Sequence, residues 1–171
     1  MQLIRNFAFL VGLSLSWTAT AWSAEHQYSD KLDPGLLCKR AEEKLPRNLE
    51  ALRKLDHLLA EAARPNEDYC QPDVSRCEIL DMKFMGFAGS FLLEKKTGKV
   101  SVLTLTISHA KWRTLEPVRV GASLHAVEAA FAVKAEPRAN TLKIIADCTP
   151  LDIEHDGKRV TKASLDCQAC I

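Results

Sequence analysis

The chain has 171 residues, with 23 lysines and arginines against 22 acids, so its bulk charge gives no hold on nucleic acid or any other polyanion. A hydrophobic share of 47%, a charged share of 26%, seven glycines and seven prolines exclude disordered, collagenous and low-complexity chains. A mature length of about 150 residues is the size of one domain around one core.

Arg5, the apolar run from Phe7 to Leu15 and the small residues Ala19 and Ala21 follow the three regions of a secretory signal peptide. The expectation is a leader at 1–21, cleaved after Ala21 or after Ser23, then a flexible segment at 22–32 and a single α+β domain at 33–171. Removing the leader takes Arg5 and no acid, which leaves 22 cations against 22 acids. The apolar run is shorter than the roughly 20 residues that span a bilayer, so no membrane span is expected. Leu37 precedes Cys38 where a lipid-attachment signal needs a small residue, so no lipid anchor is expected either. The expected location is periplasmic or secreted.

All six cysteines, Cys38, Cys70, Cys77, Cys148, Cys167 and Cys170, follow the leader. An even number in an oxidising compartment reads as a disulfide framework. Cys70 and Cys77 bracket a short segment that a bridge would close. The hairpin described below brings Cys148 near Cys167, and elimination then pairs Cys38 with Cys170.

Asp33-Pro34 opens a helix with an N-cap acceptor and a proline at its first position, with Leu36, Leu37 and Ala41 on its apolar side. Pro46 kinks this helix or starts a second. Leu49, Leu52, Leu55, Leu59 and Ala62 or Ala63 recur at helical spacing and predict the best helix of the chain, ending at Arg64-Pro65-Asn66. From residue 78 the pattern changes. Segments 78–84 and 89–94 are rich in apolar residues, and 89–94 and 100–108 read as a hairpin across Lys95 to Lys99. After the 109–117 loop come a strand at Val118 to Val120, Gly121, and a helix from Ser123 to Ala132 with Leu124, Val127, Ala130 and Phe131 on one face. Thr141 to Cys148 and Lys158 to Cys167 read as a hairpin turning at Asp156-Gly157. The expected architecture is an N-terminal helix or helix pair followed by a disulfide-stabilised ββαββ antiparallel sheet.

Val118-Arg-Val-Gly121-Ala-Ser123-Leu-His-Ala-Val127-Glu-Ala-Ala-Phe131 resembles a stretch found in small exported α+β modules, the BamE-type outer-membrane assembly lipoproteins and the β-lactamase inhibitor proteins. The resemblance implies an extracytoplasmic module that binds other proteins, and it carries no catalytic residue. Ala132 stands where that stretch has a glycine.

No catalytic constellation is expected. Cys167-Gln-Ala-Cys170 has redox spacing, but no helix follows to lower a thiol pKa. Neither Ser90 nor Ser123 sits in a nucleophile elbow. Asp147, Asp152, Glu154 and Asp156 lack calcium-loop spacing, and the cysteines and histidines lack a second zinc-ligand pair. No cofactor is implied. Aromatics at 6% and balanced charge give no nucleic-acid module. His109, Lys111, Trp112 and Arg113 form an aromatic between cations, the composition enriched at protein interfaces; the competing reading folds Trp112 back over the sheet edge. The resulting expectation is an exported, non-catalytic module for an unidentified protein partner, of inhibitor or immunity type. Its alternatives are a thiol-disulfide enzyme using Cys167 and Cys170 and an envelope assembly factor.

Overall fold

A computed structural model describes residues 32–66, 69–146 and 149–168. The residues read as leader and flexible arm, up to residue 31, lie outside the described residues, as do Asp147, Cys148 and Cys170.

The first helix forms as its cap predicts. α1 spans Pro34–Lys44, and the Asp33 carboxylate accepts the Gly35 N–H at 2.7 Å. Leu37 and Ala41 are fully buried, but Leu36 is 46% exposed and does not share their face. Pro46 ends the helix outright: α2, Leu49–Arg53, starts anew, and the Asn48 side chain accepts the Ala51 N–H at 2.8 Å.

The long helix expected beyond Leu49 is not formed. After α2 the chain turns and runs as strand β1, Leu58–Arg64, antiparallel to β2, Cys77–Phe84. Six residue pairs from Leu58↔Phe84 to Arg64↔Ile79 give β2 a ladder partner, and such pairing outweighs the modest helix preference of Ala, Leu and Glu. Arg53 on α2 pairs with Glu61, and Arg64 with Asp81 at 3.0 Å, so charge also fixes the strand. Leu59, read as core, is 58% exposed.

β3, Phe87–Glu94, and β4, Lys99–Ile107, form the expected hairpin. α3, Leu124–Phe131, then leads to β5, Thr141–Ala146, β6, Thr149–His155, and β7, Val160–Asp166. All seven strands join one antiparallel sheet in the order β1-β2-β3-β4-β7-β6-β5. The architecture is α+β, with four strands before α3 and three after it in place of ββαββ. Two of the extra strands lie where the sequence points elsewhere, β1 in the expected helix and β6 in the connection between the expected strands 141–148 and 158–167. β7 returns on β6 and β4, not on β5 (Ile153↔Ala163, Leu105↔Leu165). The Asp156-Gly157 turn joins β6 to β7 and is wider than a two-residue loop. The Asp156 carboxylate accepts the N–H groups of Lys158 and Arg159 at 2.8 and 2.7 Å, which holds its pKa below the usual range.

Val118 to Val120 is not a strand. Gly121, with φ 87°, donates to the Val160 carbonyl at 2.8 Å, and Val160 donates to Ala122 at 3.0 Å, so this corner is tied to β7 by its turn. α3 buries Leu124, Val127 and Phe131 as patterned, but the Ser123 hydroxyl makes no cap bond. One core forms on one face of the sheet: Leu37, Ala41 and Leu52 from the first helices, Val127 and Phe131 from α3, and Phe84, Phe91, Leu105, Ile144 and Ile153 from the strands.

Cys38 bonds Cys167, 129 residues away, and Cys70 bonds Cys77. The pairings of Cys148 with Cys167 and of Cys38 with Cys170 are therefore corrected. Both rested on the hairpin register that β6 displaces. β7 ends beside β4, where Cys167 N–H donates to the Leu103 carbonyl at 2.7 Å, and α1 packs across β4, β7, β6 and β5. The long bridge thus fastens α1 to the end of the central strands.

Candidate binding surfaces

The face of the sheet opposite the core is built by alternation. Residues paired directly across the strands form the row Ala60, Lys83, Ala88, Thr106, Ser164, Asp152 and Lys143. A second row runs Ala62, Asp81, Ser90, Thr104 and Asp166. None of these residues is buried. Short side chains here leave two cavities, about 390 Å³ over β1 to β4 and about 220 Å³ over β4, β7 and β6, which share Thr104 and Thr106. Hydrogen bonds stiffen the rows. Ser90 donates to Asp81 at 2.5 Å, Thr104 Oγ1 accepts the Ser90 N–H at 3.2 Å, and the Thr106 and Ser164 hydroxyls lie 3.1 Å apart. Lys143 and Lys162 pair with Asp152 and Glu154 at 3.7 and 2.7 Å. Two of the acids considered for calcium are thus paired with lysines, and Asp156 serves its turn.

At one end the face is closed. Tyr69 OH donates to Gln168 Oε1 at 2.7 Å, so the segment before β2 reaches the residues after β7, across the ends of β3 and β4. Ile79 and Leu103 are buried at this end, outside the main core.

The 109–117 loop rims the opposite end. Trp112 stacks on Phe87 with ring centroids 4.7 Å apart, its indole N–H donates to the Met85 carbonyl at 3.0 Å, and it packs against the core. Lys111 pairs with Asp56, and its Nζ lies 5.4 Å from the Trp112 ring centre. That pairing, together with the neighbouring His57, holds the Asp56 pKa below its ordinary value. His109 and Arg113 are exposed. The structure therefore uses Trp112 as an anchor and leaves its charged neighbours at the surface, beside Met85, which is 51% exposed.

A third feature lies near α3. His155 is buried, its Nδ1 accepts the Gly157 N–H at 3.1 Å, and its Nε2 has no partner among the described residues. It lines a cavity of about 500 Å³ with His125, Glu128, Arg138 and Lys158. Glu128 Oε1 accepts the Ala135 N–H at 2.9 Å, the main reason its pKa is lowered.

Ser90 is bonded to Asp81, itself neutralised by Arg64, and no described histidine reaches it. Cys167 is bridged to Cys38. No group of three or more metal-ligating side chains is assembled among the described residues. Sequence reasoning missed both rows. Ser101, Thr104 and Thr106 carried a trace of them as the polar positions in a β-branched run, but the small residues of β1 and β3 gave no signal.

Fold and surface together define a disulfide-stapled α+β protein with one covered and one open sheet face. Among the described residues no helix is long and apolar enough to cross a membrane, and two disulfides fit an oxidising compartment. Compared with known proteins, the chain matches no family model, no curated protein and no solved structure.

Proposed function

We propose that the protein is an exported, non-catalytic binding module of inhibitor or immunity type, which receives a loop of a partner protein on the open face of its sheet. The observation that carries the reading is the pair of rows that cross the strands, none of whose residues is buried and which line two cavities. The two rows cover up to six inter-strand spacings of about 4.8 Å and about four residues at about 3.3 Å, a platform of about 380 Å². The 109–112 rim extends it toward the roughly 800 Å² that one partner contributes to a stable complex. His109 and Lys111 supply polar rim groups and Trp112 holds the rim in place, whereas Arg113 lines a separate groove. The resemblance of Val118 to Phe131 to exported protein-binding modules points the same way, as do the disulfides, because a crosslinked platform loses little entropy on binding.

The test is capture from an envelope extract by the oxidised mature protein, by Ala88→Arg/Thr106→Arg, and by Trp112→Ala. Arginines in the central row should abolish capture of a partner that the wild type retains, and Trp112→Ala should weaken it. Equal capture by the wild type and the row variant, or no partner at all, refutes the reading.

A further inference from the structure

Away from the open face, α1, the 109–123 segment and the start of α3 enclose a groove of about 610 Å³, lined by Arg40, Arg113 and Arg119 with Glu116 as its one acid. Lys44 and Arg159 stand beside it. Five cations thus meet two carboxylates, Glu116 in the groove and Asp156 beside Arg159, on a chain whose total charge is +1, which is a local excess.

The five divide by what they do. Arg40 donates to the Glu116 carbonyl at 2.9 Å, Lys44 to the Arg113 carbonyl at 3.1 Å, and Arg159 to the Gly121 carbonyl at 2.9 Å. Each bond ties a helix or strand to the loop, yet a carbonyl carries no net charge, so these bonds do not balance Arg40 and Lys44, whereas Arg159 also acts on Asp156. Arg113 pairs with Glu116 at 3.8 Å, beyond hydrogen-bond reach, so its guanidinium fork keeps its donors available. The Arg119 side chain is exposed and has no ion-pair partner among the described residues. Ser123 also lines the groove, with its hydroxyl unused as a cap.

We infer that this groove docks a carboxylate-rich polypeptide segment, with Asp or Glu side chains received by Arg113 and Arg119. Guanidinium forks match carboxylates two bonds at a time. Pro117, Ala122 and Ala126 offer an apolar floor for a peptide. No aromatic lines the groove to stack a base, as single-stranded nucleic acid would require. The inference rests on the protein-binding reading above for its biological partner, but its test needs no partner.

Labelled hexaglutamate, hexaglutamine and inorganic phosphate are titrated into the intact oxidised protein at low and at physiological ionic strength. Hexaglutamate should bind well above hexaglutamine and weaken with salt. Arg113→Glu/Arg119→Glu should weaken it at least about tenfold, while Lys95→Glu/Lys96→Glu, which removes equal charge elsewhere, should leave it unchanged. Thermal melting verifies that both variants fold. Equal binding of the two peptides, or equal loss in the two variants, overturns the inference. So does phosphate binding that Arg113→Glu/Arg119→Glu abolishes while hexaglutamate is ignored. None of these results touches the open-face reading, which partner capture decides separately.

Discussion

Removing the Cys38–Cys167 bridge should be the most damaging of the cysteine changes, and its cost follows from the length of chain it closes. With 129 residues between the partners, the chain-entropy relation gives about 5 kcal/mol at 25 °C, against about 2.4 kcal/mol for the seven-residue Cys70–Cys77 loop. A domain of this size has roughly 7 to 20 kcal/mol of stability in all, so the long bridge is a large share of it. In urea, at about 2 kcal/mol per molar, Cys38→Ala/Cys167→Ala should lower the midpoint by about 2.5 M and Cys70→Ala/Cys77→Ala by about 1 M. The loss should be felt first in α1, which is otherwise held by Leu37, Ala41 and the two bonds from Arg40 and Lys44. Hydrogen exchange of its amides, with non-reducing peptide mapping of the cysteines, reads this directly. The reasoning fails if the long-bridge variant unfolds within about 0.5 M of wild type, if the short-bridge variant is the weaker, or if mapping joins Cys167 to Cys148.

Gly86→Ala should destabilise by about 2 kcal/mol or more in the same assay, because φ is 73° there and an added Cβ would lie 2.2 Å from His109 Cβ. Ala132→Gly should stabilise by about 0.5 kcal/mol in calorimetry, since Ala132 holds the left-handed position after α3 at φ 56° and donates to the Glu128 carbonyl; the relief exceeds the added chain entropy of glycine. Glu128 is held below its ordinary 4.5, first by the Ala135 N–H. Its stabilisation is therefore complete above that value and lost as pH falls through the lower folded value, so Glu128→Gln should flatten the acid limb of a stability-against-pH curve.

What could be read in advance was what local chemistry decides. Asp33-Pro34 opened α1, Ser123 to Phe131 patterned α3, and β-branched residues at 100–107 marked β4, because cap, period and side-chain shape act over a few residues. Pairing partners were not local. Leu58 to Arg64 has the composition of a helix and no alternation of burial, with only Leu58 and Glu61 half-covered, so nothing in its own residues announces an edge strand; the open edge of β2 makes it one. β6 was hidden by Pro150, which reads as a break. Within the sheet Pro150 pairs with Ile145 of the edge strand β5, and an antiparallel ladder leaves alternate amides free of that neighbour. Missing β6 moved Cys148 and Cys167 together on paper and so misassigned two bridges at once. The site was less legible than the fold because it consists largely of alanines, serines and threonines, with a few lysines and aspartates, made neighbours by seven-strand pairing.

The placement of the two surfaces makes them separable. The rows face away from the core, whereas α1 and α3, which carry the arginine groove, pack on the core side. Substitutions in one therefore share no partner with substitutions in the other, and effects of such distant, unconnected sites add to within about 0.5 kcal/mol. A partner that uses both must reach around an edge of the sheet with an acidic arm. For such a partner, the loss of binding in Ala88→Arg/Arg119→Glu should equal the combined free energies of the single changes, and only the Arg119 component should shrink as salt rises. A partner seated on the rows alone would show the Ala88 effect and no Arg119 component at any ionic strength. Strong non-additivity would mean that the two surfaces are coupled, and the picture of a rigid two-sided platform would fall with it.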